Sequence, residues 1–380
     1  MRKVLSLSSV ARKLAISNRV LLVLIIPLLI LFLGSLRVFA QSLVWKEEGV
    51  VFSDPAIHNV EVIPLSDGKY RMYFHQATEM KSAISTDGRT FEIEPGVRLQ
   101  GSMPSLIKLA DGRWRMYFQI QENGKGAFKS ALSNDGLKWN LEPGTRLTSG
   151  GEFDPDNAVH PSVIALSQGG YRMYYDGEIR KTDQEFTWRI LSATSPDGLS
   201  WTKDEGVRID VDEEPLEADL VWNSHARYLP LTGTYELYFG VQTPNDEFID
   251  GIYLATSTDG IIFSDPIAQL TPEEESGKFG PGGQTGSYQD PFVLEFPEGK
   301  RMYYWVNGSG IHSALLTGAP VPETEPQSIL ETAKQKLTEV WGNIKEIKLP
   351  NNLELYIIPT VLLLGGAAAV IYLWRSRIRR

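Results

Sequence analysis

The 380-residue chain has no cysteine, and this absence excludes disulfide staples, structural thiolate zinc and thiol catalysis together. It has too little basic charge to grip a phosphate backbone: 37 Lys and Arg stand against 47 Asp and Glu, a net −10 that argues against a nucleic-acid partner. Histidine is scarce as well, with five in the whole chain, so where those five fall carries information. What the chain does have is 42% hydrophobic residues, 10% aromatics, 34 Gly and 22 Pro, enough to bury a large core and to make many tight turns.

A strand–turn–strand phrase recurs five times, as VIPLSDGKYRMYF (62–74), LIKLADGRWRMYF (106–118), VIALSQGGYRMYY (163–175), ARYLPLTGTYELYF (226–239) and VLEFPEGKRMYY (293–304). Each of the first four is followed by a second turn signal: SAISTDGRTF from Ser82, SALSNDGLKW from Ser130, SATSPDGLSW from Ser192 and LATSTDGIIF from Leu254. Units of about four short strands bounded by Gly-rich turns pack radially, one sheet per repeat, which predicts an all-β, five-bladed β-propeller over 41–318. The fifth unit stops at IHSALLTG (311–318) with no Asp-Gly turn and no outer strand. The segment LVWKEEGVVF (43–52) is similar to the outer strand LSWTKDEGVRI (199–209), so an N-terminal outer strand is expected to complete the last blade and close the ring.

Both ends of the chain carry apolar runs. Residues 1–40 combine a basic leader, an apolar stretch from Val20 to Leu36 and a Val38-Phe39-Ala40 cleavage pattern, which reads as a secretory signal peptide or, uncleaved, a signal anchor. Residues 355–374 read as a transmembrane helix, followed by the basic tail 375–380 that would stay in the cytoplasm and leave the propeller extracytoplasmic at the cytoplasmic membrane. Between them, 319–354 form a Pro- and Glu-rich linker and an amphipathic stalk helix whose apolar stripe runs from Leu330 to Ile347. That stripe could pair stalks into a homo-oligomer, pack on the underside of the propeller or lie on lipid.

Blade geometry sorts residues by face. Both Asp-Gly turns of a unit fall at one end, the bottom, and the S-x-D-G-x-x-[FW] turns resemble the Asp box of sialidases, a structural turn. The top collects residues that differ from blade to blade. Inner strands are predicted to begin at Asn59, Met103, His160, His225 and Asp290, counting back from Arg-Met-Tyr, with a one-residue shorter hairpin in unit four and unit five open to the same adjustment. All five histidines fall in this upper half: His58, His75, His160, His225 and His312. Asp154, Asp156, Asp176, Glu178, Asp219 and Asp290 join them, and Phe153, Trp222, Tyr288 and Trp305 offer aromatic surfaces to a sugar ring.

The repeat count, the phrases HPSVIAL and QDPFVLEF, and the Gly-Tyr/Trp-Arg-Met-Tyr hairpins resemble the five-bladed propeller glycosidases of the arabinanase, β-xylosidase, levansucrase and invertase type, over about residues 43–318. The resemblance implies carboxylates on inner strands around the axis, acting as base or nucleophile, as acid and as a tuning neighbour. Such chemistry needs two carboxyl groups, roughly 5–5.5 Å apart for retention or 6.5–9.5 Å for inversion. Only Asp290 occupies an expected inner-strand start, so the second catalytic carboxyl is expected from Asp176 or Glu178, with Asp154, Asp156 and Asp219 in the loops as the alternatives. The substrate-binding expectation covers Asn59, His58, His75, Asp154, Asp156, His160, Asp219, Trp222, His225, Tyr288 and Trp305. The resemblance also implies a candidate divalent metal ion on the axis, held here by His160, His225 and Asp290, two imidazoles favouring zinc, nickel or iron over calcium. Two functions follow from different classes: a membrane-anchored glycoside hydrolase acting on polysaccharide, or a non-catalytic propeller binding glycan or a protein partner at the cell surface.

Overall fold

The computed structural model describes residues 43–182, 186–211, 218, 220–242, 251–271, 288–306 and 308–318. The signal or anchor segment, the linker and stalk, the C-terminal span and Asp219 lie outside the described residues. The chain divides after Ala319, and all of the second unit, 320–380, is likewise outside them. Among the described residues there is no helix, and so none long and apolar enough to cross a membrane.

Strand β1 (Leu43–Phe52) precedes the first repeat, which is the antiparallel sheet β2 (His58–Pro64), β3 (Tyr70–Gln76), β4 (Glu79–Ser85) and β5 (Glu92–Gln100). The second repeat holds β6 (Ser102–Lys108), β7 (Trp114–Glu122) and β8 (Lys125–Ser133), edged by the short β9 (Asn140–Leu141) and β10 (Leu147–Thr148). In the third, β11 (Asn157–Ala165), β12 (Tyr171–Arg180) and β13 (Phe186–Ser195) carry β14 (Thr202–Lys203). The fourth, β15 (Leu220–Leu229), β16 (Thr234–Gln242), β17 (Gly251–Ser257) and β18 (Ile267–Leu270), is joined to the third by one parallel bridge between Trp188 and Leu220, making a single eight-stranded sheet. The last set, β19 (Tyr288–Phe296), β20 (Gly299–Val306) and β21 (Gly310–Gly318), takes β1 as its outer strand, with Leu43 opposite Gly318 and Phe52 opposite Ile311. The arrangement is all-β and propeller-like.

The near-constant Arg-Met-Tyr residues tie each repeat to the next. Tyr73, Tyr117 and Tyr174 donate their hydroxyls to the carbonyls of Gly136, Gly198 and Gly260 in the following repeat's Asp-Gly turn, and Tyr303 of the last repeat donates to Gly88 of the first. Arg71, Arg115, Arg172 and Arg301 reach the neighbouring Asp135, Asp197, Asp259 and Asp87 carbonyls in the same order. Each turn is held by its own Asp: Asp87 Oδ1, for example, accepts the Arg89 and Thr90 amides at 2.8 Å. The fourth repeat breaks the pattern for a physical reason. Its neighbour has no Asp-Gly turn to accept an arginine, and Glu236 stands there instead, paired with Arg227 and Lys300.

Strand β1 supplies what the last repeat lacks. Phe91, Trp139, Trp201 and Phe263 pack against Tyr303, Tyr73, Tyr117 and Tyr174 with ring centroids 5.7–6.0 Å apart, and Trp45 takes this place against Tyr238 at 6.4 Å. Glu48 does the same for charge. It accepts from Arg301 and from the Ser313 hydroxyl, just as Glu94 accepts from Arg71 and Ser82, and Glu142 from Arg115 and Ser130. These arginines lie in the core, so Arg115→Ala, which strands a mostly buried Glu142 carboxylate, is expected to cost about 3–5 kcal/mol, read as a lower denaturant midpoint.

Candidate functional site at the axis

Each inner strand carries the same irregularity. The register slips between His58 and Glu61, Ser102 and Ser105, Val159 and Ser162, Trp222 and His225, and Gln289 and Phe292. Inside each slip one non-glycine residue is left-handed: Asn59 (φ 47°), Met103 (54°), His160 (51°), Asn223 (55°) and Asp290 (54°). That conformation is unfavourable for any residue with a Cβ and least so for Asn and Asp, which hold three of the five places. All five line one cavity of about 40 Å³, room for roughly three waters, together with Glu61, Ser162 and His225.

This geometry corrects the expected alignment of the fourth repeat: its inner-strand residue is Asn223, not His225. Beyond the slip, Glu61, Ser105 and Ser162 pair with Tyr73, Tyr117 and Tyr174, twelve residues on, whereas His225 pairs with Tyr238, thirteen on, and Phe292 with Tyr303, eleven on. The fourth hairpin is thus one residue longer, not shorter, and only the fifth is shorter. His225 belongs to the next layer, whose side chains bridge neighbouring inner strands. Ser105 and Ser162 accept the Val163 and Ala226 amides, Glu61 accepts the Leu106 amide at 2.6 Å, and His225 Nε2–H donates to the Val293 carbonyl at 3.1 Å.

Asp290 is the hub of the layer of left-handed residues. One oxygen accepts the Asn59 amide at 3.2 Å with His58 Nδ1 3.7 Å away, and the other accepts from the Asn223 side chain. The Asn223 amide then donates to Asp176 Oδ2 at 2.7 Å, and His160 Nδ1 lies 2.7 Å from the same oxygen. On the opposite side His75 Nε2 sits 2.9 Å from the Asn59 side chain. Asp290, Asn59, Asn223, His160, Asp176, His58 and His75 therefore form one connected network. Within it the second oxygen of Asp176 and the side-chain oxygen of Asn223 are buried without a partner among the described residues.

The other expected residues fall elsewhere. Asp176 is fully buried behind His160 and is joined to Asp290 through Asn223, and Glu178 is buried in an ion pair with Arg180; neither is among the residues lining the cavity. Asp154 is engaged by the Gly151 amide, Tyr175 and Lys203, and Asp156 accepts the Arg180 amide, so these two are spent on loop structure. Tyr288 reaches Glu47 of β1, while Trp305 stacks on His58 with centroids 4.6 Å apart, within reach of the network. Trp222 packs against Trp188 at 5.2 Å and lies over Gly240, where a Cβ would come within 2.8 Å of its ring. The expected metal triad is not assembled. His225 is bonded to a backbone carbonyl one layer away, His160 Nδ1 is engaged by Asp176 and both Asp290 oxygens have protein donors, and no group of three His, Cys, Asp or Glu among the described residues is placed to hold an ion.

Two groups on the cavity wall have displaced titrations. Burial pushes Glu61 up to about 8, with only the Leu106 amide opposing it, and burial pushes His225 down to about 3. Glu61 thus favours folding below its unfolded value near 4.5, and this contribution is lost as pH rises through about 8. His225 acts in the other direction: its contribution is present above about 6.5 and is lost as pH falls toward 3. Glu61→Gln, which keeps an acceptor for Leu106, is expected to raise the melting temperature at pH 8 and above and to leave it nearly unchanged at pH 4.

No protein-family model matches the chain, and no curated protein matches it. Solved structures do. A glycoside hydrolase structure, 14% identical with a TM-score of 0.56, aligns over 74% of this chain and 93% of its own. A thermostable family-43 glycoside hydrolase aligns at 15% identity and a TM-score of 0.54, over 70% and 95% of the two chains. An endo-arabinase from Bacteroides thetaiotaomicron aligns at 13% and 0.52, over 74% and 99%. The fold is that of the arabinanase-type and family-43 propeller enzymes. At these identities the likeness is one of fold, and the chemistry rests on the axial residues themselves.

Sequence reasoning missed Asn223, Glu61 and Trp188. Asn223 was hidden by the hairpin insertion. Glu61 could have been found by comparing repeats, since Ser105 and Ser162 show that a hydroxyl suffices for the bond it makes. Trp188 leans on His160, with centroids 5.6 Å apart, and lies in a strand whose register only the structure supplies.

Proposed function

We propose that the five meanders form five blades around one axis, that the propeller is held outside the cytoplasmic membrane by the apolar segments of the chain, and that it acts on polysaccharide at the face where the inner strands begin. The observation that carries this reading is the connected network around Asp290, set at one end of the inner strands in a fold shared with glycoside hydrolases. Asp290 and Glu61 are the carboxyls that line the cavity. Their environments differ as an acid and a base require: Asp290 accepts hydrogen bonds on both oxygens, and Glu61 is kept protonated at neutral pH by burial. Asp290 would activate a water in the cavity, and Glu61 would supply a proton to the leaving group.

A second reading, glycan binding without cleavage, has its own support. Four of the five equivalent axial positions hold Asn, Met, His and Asn rather than a carboxylate, and both Asp290 oxygens already have protein donors. A hydrolysis screen and a glycan array on the full-length protein separate the two. The enzyme reading expects cleavage of at least one polysaccharide, lost in both Asp290→Asn and Glu61→Gln; capture with no cleavage in the wild type leaves the binding reading.

A further inference from the structure

The two ends of the described chain leave the propeller side by side. Strand β21 runs parallel to the inner strand β19, so its last residue lies at the hairpin-turn end, opposite the axial cavity; β1 pairs antiparallel to it, with Leu43 facing Gly318. The apolar run ending at Leu36 is separated from Leu43 by six residues, a link of at most about 24 Å when fully extended. The second apolar run, from Leu355, follows Gly318 in the same chain. The chain therefore enters and leaves the propeller at the face turned away from the cavity mouth, with the first apolar run six residues away and the second beyond the 36 residues 319–354.

Among the described residues, the same end carries most of the exposed large apolar side chains: six of the nine, Leu43, Val44, Ile93, Leu141, Leu231 and Ile262, sit at or next to the hairpin turns and strand ends there, and the other three lie on outer strands. Leu231 is fully exposed at the tip of the fourth hairpin, and Ile262 is 76% exposed on the Asp259 turn of the same repeat. Exposed apolar side chains set among charged ones, at the end where the chain enters and leaves the propeller, are the composition of a surface that enters the headgroup layer.

We propose that this lower rim, led by Leu231 and Ile262, rests on the lipid surface and that the axial mouth faces away from the membrane. The proposal depends on the anchoring reading above and adds an orientation to it. The contact is apolar rather than ionic, so zwitterionic lipid suffices.

The lack of cysteine makes the test direct, since single reporters can be placed at Leu231→Cys on the lower rim and at Lys125→Cys in the β7–β8 turn on the mouth side. The full-length protein, labelled with one fluorophore, is reconstituted in phosphatidylcholine vesicles containing nitroxide-bearing lipid. The label at 231 is expected to lose most of its fluorescence and the label at 125 to keep it, with Ile262→Glu restoring part of the signal at 231. Equal loss at both positions, loss at 125 alone, or loss at neither overturns the orientation. Protein that does not float with the vesicles removes the anchoring reading, and the orientation with it, a result distinct from floating protein whose label at 231 stays bright.

Discussion

Under the hydrolase proposal, Asp290→Asn is expected to lower kcat for polysaccharide cleavage by about 10²- to 10⁴-fold, the range for loss of a general base, while leaving the protein folded. Asparagine is the informative replacement. It tolerates the left-handed backbone at this position and keeps one oxygen to accept from either the Asn59 amide or the Asn223 side chain. Alanine would confound the result, because it strands both donors in the core and adds backbone strain. A structural role for Asp290 alone would lower stability without a matching loss of kcat. Glycan capture by the variant separates the two further, since binding through the surrounding His58, Trp305 and His160 does not require a carboxylate.

The second large effect concerns closure. A chain lacking residues 1–52 is expected to lose its cooperative unfolding transition and to aggregate. Without β1, strand β21 becomes an unpaired edge, Tyr238 loses the Trp45 ring, and the buried Arg301 loses the Glu48 carboxylate. Each of these losses has a smaller counterpart. Trp45→Ala alone is expected to cost about 3–5 kcal/mol at most, since the ring packs on one side of the sheet. Retention of a sharp transition near the wild-type temperature by the truncated chain would show that the propeller does not need its N-terminal strand.

Much of the architecture was legible because it is written in repeats. The Arg-Met-Tyr phrases, the Asp-Gly turns and the missing outer strand of the fifth unit each correspond to a bond or a packed ring in the structure, and the likeness of 43–52 to 199–209 led directly to the pairing of β1 with β21. The site was less legible, for two physical reasons. Counting along a hairpin fails when a turn gains a residue, as at Leu229–Thr234, so that His225 was set in the place that Asn223 occupies. Nor does position in the upper half reveal which carboxylates are consumed by structure. Asp154, Asp156 and Glu178 look catalytic in sequence, yet they hold Lys203, Tyr175 and the Arg180 segment in place. Glu61 carries no mark in its local sequence, and only its place on the cavity wall sets it apart.

The most direct test of the axial site is backbone hydrogen exchange on the full-length protein, with and without the oligosaccharide that the glycan array retains most strongly. Slower exchange on binding is expected in the segments around 58–61, 160–162, 223–225 and 290–292, with the Asp-Gly turns at the opposite face unchanged. Protection confined to those turns or to the outer strands, with the four inner-strand segments unaffected, would contradict an axial glycan site.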